Sequence, residues 1–101
     1  MMSKFHLCAI VMVVLFTLSE AFLGFSEADK LEKAIQEQEK GGSDSDLAVL
    51  LRELAKYCLK KGNLFVSHDA QSMADLLLSG KIERKSGIAT ARYSLSNCRN
   101  F

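Results

Sequence analysis

A chain of 101 residues with 13 Lys and Arg against 12 Asp and Glu has no concentrated basic patch interleaved with aromatic rings, which excludes the usual electrostatic footprint of a nucleic-acid binder. It has no nucleophile elbow, no glycine loop that cradles phosphate and no carboxylate pair in an apolar setting, so no enzyme, catalytic residue or cofactor is expected. Three cysteines and two histidines without paired spacing give no zinc site, and no Asn-x-Ser/Thr acceptor for glycosylation occurs.

Met1, Met2, Ser3 and Lys4 make a short positive start, and residues 5–18 are almost wholly apolar, interrupted by His6 and Thr17. That is the charge and length of a secretory signal peptide. The dense apolar run falls short of the roughly 20 residues that a spanning helix takes. Small side chains in Ser19-Glu20-Ala21 predict cleavage between Ala21 and Phe22, with Ser26-Glu27-Ala28 as a second site. An uncleaved anchor helix over residues 5–25 is the competing reading.

Residues 22–46 form an acidic spacer or propeptide. They hold Lys30, Lys33 and Lys40 against Glu27, Asp29, Glu32, Glu37, Glu39, Asp44 and Asp46, a net charge of −4. Within them, residues 26–40 read as a helix: Ser26 can cap, Asp29 stands three residues on, and Ala28, Leu31 and Ile35 recur at helical spacing. The stripe is thin, which suits a pro-segment or an exposed arm. Gly41-Gly42-Ser43-Asp44-Ser45-Asp46 then reads as a linker.

Residues 47–101 form a basic product region with nine cations and four anions, a net of +5. An acidic segment before a basic one can mask it until cleavage; a solvated polar helix beside a basic one has the same pattern. From Asp46 as N-cap to Gly62 as C-cap, a second helix puts Leu47, Leu50, Leu51, Leu54, Ala55 and Cys58 on one face. Residues 63–66 read as a short extended connection. A third helix starts at Ser67 as N-cap, with Asp69 in its first turn, an apolar side of Ala70, Met73, Ala74, Leu77 and Leu78, and Gly80 as C-cap. His68, the one histidine left after signal removal, belongs to that polar cap region. Residues 86–101 show no helical period and read as an irregular tail, with at most a short strand at Tyr93-Ser94-Leu95. The expected fold is mostly α: two or three short amphipathic helices, an N-terminal signal helix, an irregular C-terminal tail and little tertiary core.

Cys8 leaves with the signal peptide, so Cys58 and Cys98 can form one disulfide in an oxidising compartment. A bridge closing a loop of about 40 residues contributes about 3–4 kcal/mol in the chain-entropy account. Lys60-Lys61 and Arg84-Lys85 are the pairs that secretory processing proteases recognise when presented on an accessible, extended segment, whereas lysines also collect at helix ends for electrostatic reasons. Gly80 followed by Lys81 meets the requirement for peptide amidation after trimming, against the plainer role of ending a helix. Residues 46–61 also fit a cationic amphipathic helix lying on a membrane surface, although the same stripe serves a helix packing on a neighbour.

The plan of signal peptide (1–21), acidic spacer (22–46) and basic product (47–101, processed at 60–61 and 84–85) resembles precursors of secreted bioactive peptides. These include neuropeptide and hormone precursors and venom peptides, and the resemblance is one of layout. It implies a secreted, extracellular product acting on a receptor. The alternatives are a venom or defence peptide acting on membranes or ion channels, and an uncleaved small helical interaction domain.

Overall fold

The computed structural model describes residues 26–101, so the expected signal helix and the cleavage point at Ala21 and Phe22 lie outside the described residues. Ser26 starts the first helix, α1 (Glu27–Lys40), with a reciprocal cap: its hydroxyl accepts from the Asp29 N–H while the Asp29 carboxylate accepts from the Ser26 N–H. Two orphan donors of the first turn are thereby satisfied.

The second helix, α2 (Asp44–Lys61), starts earlier than its leucine stripe predicts. Ser43, and not Asp46, is the cap, accepting from the Asp46 N–H at 3.1 Å. Asp44 and Asp46 then sit in the first turn, where the helix dipole favours carboxylates. Its C-terminus turns at Gly62, whose φ of 88° is left-handed. There the Asn63 N–H bonds to Cys58 O and the Gly62 N–H to Leu59 O, closing the last carbonyls.

Residues 63–66, expected to be extended, instead begin α3 (Leu64–Leu78). Asn63 accepts from the Val66 N–H at 3.2 Å, so capping follows the glycine turn at once. Ser67, expected as the cap, lies inside the helix and donates to Ala55 O at 2.7 Å, tying α3 to α2.

The largest correction is at the C-terminus: residues 86–101, expected as an irregular tail with at most a short strand at Tyr93-Ser94-Leu95, lie almost wholly in the regular helix α4 (Arg84–Arg99). Its buried face is Gly87, Ala91, Ser94, Leu95 and Cys98, a helical spacing written almost entirely in small residues. A Cβ added at Gly87 would stand 3.0 Å from Leu47 Cδ2 and 3.5 Å from Leu77 Cδ2, so the missing side chain is what lets α4 approach. Thr90, Asn97 and Asn100 donate back to carbonyls four residues earlier.

Contact partners set the topology. Glu27 meets Lys60, Asp75 meets Arg52, and Cys98 meets Cys58. Successive helices therefore run antiparallel, with α2 and α4 parallel. Helix α2 touches all three others, and α1 does not contact α3. The expectation of little tertiary core is also overturned: Ile35, Leu47, Leu51, Leu54, Cys58 and Cys98 are fully buried in one cluster that draws on all four helices. The α2 stripe, wide enough for two neighbours, finds α3 on one flank and α4 on the other. Among the described residues there is no strand.

Candidate functional site

Cys58 and Cys98 lie in the last turns of the parallel α2 and α4, joined as a disulfide with Cα atoms 5.2 Å apart. Both are wholly buried. The staple thus fixes the same end of two core helices, beside the Gly62 turn.

The two basic pairs have different surroundings. Lys60 and Lys61 are exposed on the last turn of α2. Lys60 Nζ lies 3.3 Å from Glu27 of α1, and Lys61 Nζ stands 6.0 Å from the centre of the Tyr57 ring. Arg84, by contrast, is a tie across the molecule. Its guanidinium donates to Ser43 O at 3.0 Å and to Gln38 at 2.8 Å (O) and 2.6 Å (Oε1), and reaches Asp44 at 3.6 Å. One planar donor fork thereby closes the turn between α1 and α2. Lys85, next to it, is exposed in the first turn of α4. Neither pair lies on extended backbone.

Gly80 has φ of 72° and sits just past α3. The Lys81 N–H bonds to Leu76 O and the Gly80 N–H to Leu77 O, the two bonds of a helix-ending glycine turn. His68 and Asp69 are exposed within α3 and cap nothing. The leucine face of 46–61, the basis of the membrane-lying reading, is turned into the core.

Along α1 and α4 an ionic seam forms. Arg92 is hydrogen-bonded to Glu39 and, at 3.2 Å, to Glu32, while Arg99 reaches Asp29 at 2.7 Å and Glu32 at 3.9 Å. The hydrogen bonds that Arg92 donates hold the Glu39 carboxyl below the ordinary carboxylate range, and their acceptance by Glu39 and Glu32 raises Arg92. A cleft of about 390 Å³ beside this seam is lined by Glu32, Arg92, Leu95, Ser96, Arg99 and Asn100. Its cations already face carboxylates, so it offers no unneutralised anion site.

Sequence reasoning missed an exposed apolar cluster at the disulfide end. Leu59 stands in the last turn of α2 at 56% exposure, Leu64 and Phe65 open α3 at 65% and 80%, and Phe101 follows α4 at 66%. Phe101 Cε1 lies 3.7 Å from where a Cβ would stand on Gly62. The signal was an apolar pair, Leu64-Phe65, directly beside a glycine-asparagine turn, where polar residues are the norm. Among the described residues no group of three Cys, His, Asp or Glu side chains could hold a metal, and no helix is long and apolar enough to cross a membrane. Comparison with protein-family models, with curated proteins and with solved structures finds no match to the chain.

Proposed function

We propose that the chain works outside the cell as an intact, disulfide-stapled four-helix domain that binds a partner, and not as a store of linear peptides. One observation carries this reading: both basic pairs are built into helices, and Arg84 is committed to holding the α1–α2 turn. A processing protease needs an accessible, locally extended strand, and presenting either pair that way requires unwinding a helix end. Extracellular location rests on the apolar leader and on a bridge that persists in oxidising compartments.

The hormone-type precursor keeps support at one place, the exposed Lys60-Lys61 at the end of α2. Cuts at both pairs would free the α3 segment and leave α1–α2 bridged to α4, a two-chain product.

Intact mass spectrometry of natively secreted material, with and without reduction, tests the choice. A single species covering residues 22–101, gaining two hydrogens on reduction, is the expected result. Fragments ending at Leu59 or Glu83 would sink the intact-domain reading and restore the receptor-directed precursor.

A further inference from the structure

We infer that the apolar cluster at the disulfide end is a membrane-docking knob for an anionic bilayer surface. The inference deepens the intact-domain reading and rests on it, because only the fold brings the last turn of α2, the start of α3 and the end of α4, and with them Leu59, Leu64, Phe65 and Phe101, to one end of the molecule. These four side chains do nothing visible for the fold: the core closes without them, and Phe65 is 80% exposed. Leaving large apolar groups in water at adjoining positions is unfavourable unless something else covers them.

Charge identifies the cover. Residues 56–68 contain Lys56, Lys60 and Lys61, with His68, and no acid. The nearest acid along α3 is Asp69, one turn beyond Phe65. Lys56 and Lys60 do face Glu53 and Glu27, but across exposed pairs of 3.4 and 3.3 Å in which solvent already competes. Such lysines can exchange those partners for lipid phosphates at little cost. The knob therefore presents exposed leucine and phenylalanine side chains beside the exposed ammonium groups of Lys60 and Lys61, a pairing that matches the acyl chains and anionic headgroups of a bilayer interface.

The shape agrees with the same occupant. Exposures of 65% and 80% on adjacent residues at a helix start describe protruding groups, not a groove awaiting a partner's side chain. Docking is end-on and shallow, and the leucine stripe of α2 stays in the core. The other exposed apolar residues, Val49, Leu78 and Tyr93, lie on other stretches of α2, α3 and α4 and serve as internal controls.

The test is flotation of the secreted, oxidised chain with vesicles of phosphatidylcholine alone and of phosphatidylcholine mixed with phosphatidylserine. Binding to the mixed vesicles, weakened by salt, is expected. The double variant Leu64→Ser, Phe65→Ser should lose at least about tenfold in binding, while Val49→Ser should not. Because Leu64 and Phe65 are mostly exposed, the double variant is expected to keep its fold, read from its thermal midpoint. No binding to the mixed vesicles, or equal loss with Val49→Ser, overturns the inference. So does sedimentation showing a dimer that the double variant dissolves without any vesicle binding, since the cover is then a second copy. An intact, folded chain that ignores lipid defeats only the knob; a fragmented chain in the mass spectrum defeats the domain reading independently.

Discussion

Helices α1 and α3 flank the same hub, yet different forces hold them there. Helix α3 buries Val66, Ala70, Ala74 and Leu77 and adds the Ser67–Ala55 bond. Its one ion pair to α2, Arg52–Asp75, is solvent-exposed. Helix α1 buries only Ala28, Leu31 and Ile35, with Ala34 half-buried against them, and its polar attachment includes Glu27 to Lys60 of α2 and the seam of Arg92 and Arg99 against Asp29, Glu32 and Glu39, with Arg84 gripping its C-terminal end. A 14-residue helix with so thin a stripe is marginal alone, so α1 is folded because it is docked. Attachment by apolar area is indifferent to salt; attachment by charge is not. The acidic segment is thus the conditional part of the molecule.

The strongest way to break the contrast is to remove what α1 docks on. Cys58→Ala with Cys98→Ala should lower stability by about 3–4 kcal/mol in denaturant titration, and hydrogen exchange should show α4 and α1 loosening before the α2–α3 hairpin. Ile35→Ala, at a fully buried site, should take about 2–4 kcal/mol from α1 docking. Exchange should then rise across α1 while α3 amides stay protected; equal loss in both would show that α1 and α3 open as one unit.

A smaller effect separates charge from area. Arg92→Ala removes exposed ion pairs that solvent already weakens, so it should lower stability only slightly, and the difference from the parent chain should vanish in about 1 M salt, where the screening length is about 3 Å. Acid gives the gentlest readout. Because Glu39 titrates lower in the fold than in the unfolded chain, its contribution is present above the ordinary carboxylate value of about 4.3 and is lost as pH falls through the lower folded value. Exchange of α1 should quicken over that acidic window, and Glu39→Gln should flatten the response. Arg92 stays protonated throughout and adds no slope.

What could be read from the residues alone follows the same division between large and small side chains. Helix α2 was legible because leucines recur at three- and four-residue spacing, and α1 because Ser26 and Asp29 form a capping pair. Helix α4 was not, because Gly87, Ala91, Ser94 and Cys98 mark a buried face without bulk on which Leu95 is the one large side chain, while Ile88 and Tyr93 fall outside that buried set. The caps were misplaced for a local reason: Ser43 and Asn63 preceded equally suitable Asp46 and Ser67, and only the glycine turns before them decide which is used. Of the candidate sites, the paired cations were visible as composition, but the backbone that presents them was not. Arg84's grip on Gln38 and Ser43 spans more than forty residues and has no local signature.

The sulfur bridge also decides how the molecule bears load. Tension applied at the two ends of the chain passes along the backbone to Cys58, crosses to Cys98 and leaves, so the intervening span of 40 residues is mechanically shielded. At about 3.3 Å per residue that is roughly 130 Å of contour length the chain withholds when stretched. A domain anchored at one end and dragged at the other can give up α1, and α2 as far as Cys58, and extends no further across the bridge.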